Sequence, residues 1–96
     1  MSQKKRLLLI EDEEDIAALI KIQAEISGYK LHVETDGING LRAVEREKPD
    51  LVILDIMLPG QNGLDVVRKM RANSELKNIP IIIVSAKGDD LDVMLG

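Results

Sequence analysis

Three runs of four consecutive large aliphatic residues interrupt an otherwise mixed chain: Leu7-Leu8-Leu9-Ile10, Leu51-Val52-Ile53-Leu54 and Ile81-Ile82-Ile83-Val84. None alternates with polar residues, so each predicts a strand covered on both faces, the pattern of a central strand in a parallel sheet. The stretch Lys30 to Thr35 behaves differently. There Leu31, Val33 and Thr35 alternate with Lys30, His32 and Glu34, which predicts a half-exposed edge strand. Between these runs the apolar period lengthens to three and four. It predicts a first helix over about Glu14 to Ser27 with Ile16, Leu19, Ile20, Gln23 and Ile26 on one face, stopped by Gly28. A second helix follows the Asp36-Gly37 turn, turns Ile38, Leu41 and Val44 inward, and ends before Pro49, because the residue ahead of a proline disfavours helix. A third runs from Asn62 to about Ala72 with Leu64, Val67 and Met70 inward, followed by a polar loop over Asn73 to Asn78. Asp89 is placed to cap the start of a fourth helix carrying Leu91, Met94 and Leu95. Strands alternating with helices through short connections predict right-handed crossovers and an α/β fold, a doubly wound parallel sheet with helices on both faces.

Composition narrows this picture without changing it. Ninety-six residues, 45% hydrophobic, suffice for one small domain with a single core. The chain has no Trp or Phe and one Tyr, so that core is built from Ile, Leu, Val and Met. A net charge of −4, without a basic run, argues against direct nucleic-acid contact and in favour of protein partners. The absence of cysteine excludes disulfide and thiol chemistry and fits a reducing compartment. The basic start, Met1 to Arg6, is followed by an apolar run too short for a signal or membrane segment, so the expected location is the cytoplasm.

The candidate chemistry lies where the strands stop. The first apolar run leads into Glu11-Asp12-Glu13-Glu14, and the second leads into Asp55, then Pro59-Gly60 and Gly63. Two parallel central strands ending in acid deliver Glu11, Asp12 and Asp55 to one sheet edge, the side on which open α/β sheets gather ligands. Carboxylates so close repel one another unless a hard cation shares their oxygens, and Mg²⁺ is the simplest candidate. Glu13 and Glu14 read as the acidic first turn of a helix, favoured by its dipole. His32, the only histidine, reads as a solvated surface residue on the edge strand.

The ordered set of Glu11-Asp12, Asp55 with Pro59 and Gly63, and Ser85-Ala86, each piece ending an apolar strand, resembles the receiver domain of two-component response regulators. The resemblance implies a flavodoxin-like strand order 2-1-3-4. It implies Asp55 as the nucleophile that accepts a phosphoryl group from a sensor histidine kinase, and carboxylates do act as covalent nucleophiles of this kind. Glu11, Asp12, Asp55 and the backbone carbonyl of Met57 would hold Mg²⁺. Ser85 would be the switch hydroxyl, and Ala86 the small residue that leaves room for the phosphate. The phosphorylated domain would control an output domain or effector protein, acting catalytically only on its own phosphoryl group.

The family pattern continues through the rest of a fourth helix, a fifth strand ending in a lysine, and a fifth helix. Residues 1–96 therefore read as a receiver incomplete at its carboxyl end, and Lys87, two residues after Ser85, does not replace that lysine. An unpaired fourth strand predicts cover of that strand and the final helix by another chain in a dimer, by a swapped element, or by a continuation of the parent sequence. Two other readings fit less well. A Mg²⁺-dependent phosphohydrolase with an aspartyl nucleophile is expected to carry Asp-x-Asp after its first strand, where this chain has Glu11-Asp12-Glu13. A receiver-fold interaction module that is never phosphorylated would lack a Mg²⁺-dependent response at Asp55.

Overall fold

The computed structural model describes residues 4–56 and 62–84 in full, and the backbone of 85 and 92–95. The elements run β1 (Arg6–Ile10), α1 (Glu14–Ile26), β2 (Lys30–Glu34), α2 (Gly37–Glu47), β3 (Leu51–Asp55), α3 (Gly63–Ala72), β4 (Ile81–Ser85) and β5 (Asp92–Leu95). They form one sheet in the order β2-β1-β3-β4-β5. The first four strands are parallel, as the apolar runs predict, and β2, the alternating strand, lies at the edge.

Alternation along each strand divides the core in two. Leu8, Ile10, Val52, Leu54, Ile81 and Ile83 point to the side of α2 and α3, where Ala43, Val44, Val66 and Met70 close over them. Leu7, Leu9 and Leu31 point the other way, against Ala17 of α1, with Ile20, Ala24, Leu51 and Ile53 packed partly buried around them. The two sides are unequal. Two helices seal one face of β3, whereas α1 alone leaves Leu51 and Ile53 half-buried on the other. The expected cover on both faces of β3 is complete on the side of α2 and α3 and partial on the side of α1.

The first three helices exist as predicted, and of their expected inward residues Ile20, Leu41, Val44, Val67 and Met70 do face the core, but other positions of each row differ. In α1 the buried face is centred on Ala17, Ile20 and Ala24, while Leu19 and Ile26 are 65% and 76% exposed. In α2 the buried row is Gly40, Ala43 and Val44 with Leu41 beside it, and Ile38 is exposed. In α3 it is Gly63, Val66 and Met70, with Leu64 turned outward. In α1 and α2 the cause is size: small residues let a helix axis approach the sheet closely, and larger apolar residues are then displaced to the flanks. Leu76, inside the expected polar loop, is also buried and completes the core beneath α3.

Helix ends follow local chemistry. The Asp36 carboxylate accepts the Asn39 N–H at 2.7 Å at the start of α2, and the Asn62 side chain accepts the Leu64 N–H at 2.8 Å at the start of α3. α1 ends on Gly28 at φ 92°, a left-handed conformation that glycine adopts at little cost. The last carbonyls of α2 are held from a distance. Arg6 donates to the carbonyl oxygens of Glu47 at 2.7 Å and Lys48 at 3.1 Å, tying the helix to the first residue of β1.

The carboxyl end departs from expectation. Asp92–Leu95 is not the start of a helix but a strand antiparallel to β4, pairing Ile82 with Leu95 and Val84 with Val93. Four residues gain almost nothing from one helical turn, whose nucleation is unfavourable, whereas the open edge of β4 offers ready hydrogen-bond partners. The cover expected from another chain is thus supplied to β4 by its own sequence. Asp89 and Leu91 lie outside the described residues.

Candidate phosphoacceptor and metal site

β1 and β3 are neighbours in register, Ile10 beside Leu54, so the next residue of each strand, Glu11 and Asp55, emerges at one level of the sheet. The Glu11 N–H donates to the Glu34 carbonyl at 2.9 Å, which extends the ladder past β1 and fixes where its side chain leaves. One carboxylate oxygen from each of Glu11, Asp12 and Asp55 lies within 4.8 Å of the others. The three differ in setting: Glu11 is buried, Asp55 half-buried and Asp12 exposed. The acids that the apolar runs place at one edge are therefore brought together.

Glu11 carries the electrostatic strain of the cluster. Only 6% exposed, it accepts the Glu13 N–H at 3.1 Å and hydrogen-bonds to Asp55. Burial pushes its carboxyl up to about 7, and the neighbouring charges of Asp55 and Asp12 push the same way against the Glu13 hydrogen bond. At neutral pH Glu11 is thus poised between its protonated and its charged form. Oxygen donors at this spacing suit a hard divalent cation, which relieves the same repulsion without a proton.

The α3 side of the site is built by close approach of backbone. The Gly63 N–H donates to the Ile56 carbonyl at 3.1 Å, and a Cβ on Gly63 would sit 2.8 Å from the Ile56 Cα and 2.9 Å from the Asp55 carbonyl oxygen. Only glycine at position 63 lets α3 begin against the end of β3. On the other side, Asp55 pairs in register with Val84, and the Ile56 N–H donates to the Val84 carbonyl at 3.3 Å. The backbone of Ser85, the next residue of β4, thus reaches the same edge. Met57, Pro59, Gly60, Ala86 and Lys87 lie outside the described residues.

Glu13 and Glu14 are exposed at the start of α1, as expected of an acidic first turn. His32 is not part of this cluster and is less solvated than predicted. Its Nε2 lies 2.6 Å from Glu34 and its Nδ1 3.4 Å from Glu47, so it bridges β2 to the end of α2. The His32-Glu34 spacing on one face of a strand was the available signal for the first contact; the second, from α2, has none in sequence.

A family model described as the response regulator receiver domain matches residues 7–95. The DNA-binding response regulator MtrA of Mycobacterium bovis is 41% identical over 95 residues, covering 99% of this chain and 40% of that protein. The alkaline phosphatase synthesis transcriptional regulatory protein PhoP of Bacillus subtilis is 38% identical over 92 residues, covering 96% of this chain and 38% of its own length. The chain thus spans about 40% of the length of these curated relatives. Among solved structures, the signal receiver domain of a Luxo repressor protein from Vibrio parahaemolyticus superposes with a TM-score of 0.82 at 32% identity, covering 91% of this chain and 65% of that one.

Proposed function

Because the chain belongs to the response regulator receiver family, matched over residues 7–95, we propose that it is the phosphoacceptor switch of a two-component system and that Asp55 is its acceptor. The observation that carries this reading is the meeting of Glu11, Asp12 and Asp55 at the carboxyl edge of β1 and β3. An Asp55 carboxylate oxygen attacks phosphorus, the P–N bond of a phosphohistidine breaks with its electron pair leaving on the imidazole nitrogen, and an acyl phosphate remains. Glu11, Asp12 and Asp55 are the side chains that would hold Mg²⁺, joined by the Met57 carbonyl. The bound ion offsets charge on the acceptor and on the transferred phosphoryl oxygens. Half-burial of Asp55 leaves it open to a donor while limiting competing water.

In the same reading Ser85 supplies the switch hydroxyl and Ala86 the space for the phosphate. The chain acts only on its own phosphoryl group and turns over no metabolite. Its partners are a sensor histidine kinase upstream and an output domain or effector protein downstream, in the cytoplasm, without nucleic-acid contact by this segment. Consistent with that location, no helix among the described residues is long and apolar enough to cross a membrane.

The test is labelling by a small phosphodonor. Wild type is expected to take up label at Asp55 in a Mg²⁺-dependent manner, Asp55→Asn to take up none, and Asp12→Ala to need at least about ten-fold more Mg²⁺ through loss of one charged ligand. Undiminished label on Asp55→Asn would overturn the assignment.

A further inference from the structure

Among the described residues β2 ends the sheet, and no strand lies beside one side of its backbone. Lys30 donates to the Lys5 carbonyl at 2.9 Å, and the Glu34 carbonyl accepts from Glu11 at 2.9 Å. Peptide groups alternate along a strand, so those of Leu31 and Val33 face the open side. A groove of about 600 Å³ lies against this strand: consecutive residues Lys30, Leu31, His32 and Val33 line it together with Arg6 and Leu7 at the start of β1, with Lys21 of α1 and Glu47 of α2 as its walls. Consecutive strand residues point to opposite faces of the sheet, so a space touching all four reaches around the strand from one face to the other.

We infer that the open edge of β2 pairs antiparallel with β2 of a second copy of this chain, about a two-fold axis at His32. The sequence Lys30-Leu31-His32-Val33-Glu34 is self-complementary in that register. Leu31 stands opposite Val33 of the partner and Val33 opposite Leu31, and these are the residues whose peptide groups point outward, so each pair exchanges both its hydrogen bonds. Lys30 stands opposite Glu34 and Glu34 opposite Lys30, in the non-hydrogen-bonded positions where side chains approach most closely. Slipping the register by two residues forfeits these pairs, because Lys30 or Glu34 then stands opposite His32. Charge complementarity decides the occupant, because two chains of net charge −4 otherwise repel. One short strand on each side buries less than the roughly 1,200 Å² typical of stable complexes, so the dimer is a weak one, formed at high local concentration.

Sedimentation equilibrium of the full chain over a concentration series tests the pairing. Lys30→Glu and Glu34→Lys each place like charges opposite and are expected to weaken association roughly ten-fold, whereas the double exchange restores opposite charges and association with them. Register is read separately. Directly opposed, non-hydrogen-bonded residues have Cα atoms about 4.5 Å apart, within disulfide reach, and the chain has no cysteine of its own. His32→Cys is expected to form a disulfide-linked dimer under mild oxidation much faster than Glu25→Cys, an exposed control on α1. A wild type monomeric at every concentration, single reversals that associate as well as wild type, or equal rates for the two thiols would each overturn the proposal. So would a double exchange no better than the single ones.

Discussion

The proton on Glu11 sets the pH behaviour of the site. Its carboxyl is raised from an ordinary 4.5 to about 7 by burial first and by Asp55 and Asp12 next. Below about pH 4.5 the folded and unfolded chains both hold the proton, and the group costs nothing. Between 4.5 and about 7 the unfolded chain releases it while the fold retains it, so stability falls as pH rises, by about 3 kcal/mol at most, and is level above that range. Urea midpoints measured across this window are expected to decline for wild type and to stay flat for Glu11→Gln, which mimics the protonated acid. Added Mg²⁺ should reduce the wild-type decline, since a cation replaces the proton as the source of relief. A wild-type curve that rises over the same window would contradict the burial argument. That these three acids meet was legible from two apolar runs ending in carboxylates; which of them keeps a proton was not. That depends on Glu11 being buried and on its distance to a residue 44 positions away, neither of which a one-dimensional pattern contains.

Elements are positioned by their smallest residues. α3 meets the end of β3 at Gly63, where an added methyl group strikes backbone atoms of Ile56 and Asp55 that cannot rotate away. α2 meets β1 at Gly40, where the same group strikes the side chain of Ile10. Both substitutions gain some helix propensity, roughly 1 kcal/mol, so the difference between them isolates the contact. Gly63→Ala is expected to lose about 1–3 kcal/mol and to slow phosphodonor labelling by shifting Asp55; Gly40→Ala, which a side chain can partly accommodate, is expected to lose less. Denaturant melts of the pair check the ranking, and equal losses would remove the distinction between backbone and side-chain collision. The differing inward rows of α1 and α2 have the same origin. Leu19 and Ile26 fit a periodic stripe as well as Ala17 and Ala24 do, and hydrophobicity alone ranks the larger residues first. Only the closeness of the sheet selects alanine. At Asp92–Leu95 the helical spacing was outweighed by an open strand edge nearby, which local sequence does not register.

At the scale of the molecule the sheet has one sealed face and one thinly covered face, and stability should follow that division. Val52 and Leu54 are wholly buried under α2 and α3, whereas Ile53, between them on the same strand, lies half-buried beside α1. Ile82 and Val84 repeat the half-burial on the neighbouring strand, extending the thin cover across β4. Truncating a buried leucine removes its transfer free energy and leaves a cavity that close-packed neighbours cannot fill, about 2–5 kcal/mol in total. Truncating a residue already half in contact with water forfeits only part of the transfer term and leaves no closed cavity. Leu54→Ala is therefore expected to lose about 2–5 kcal/mol, a large share of the roughly 5–15 kcal/mol that small domains possess, and Ile53→Ala about half as much or less. Urea midpoints at constant slope measure both. Apolar-dye binding gives an independent reading: Leu51→Asp and Ile53→Asp, on the thinly covered face, should lower fluorescence of the folded chain, while Leu54→Ala should raise it by loosening the sealed side. Losses of equal size at Leu54 and Ile53 would mean that the two faces are covered alike, and that the single helix α1 shields its side as well as α2 and α3 shield theirs.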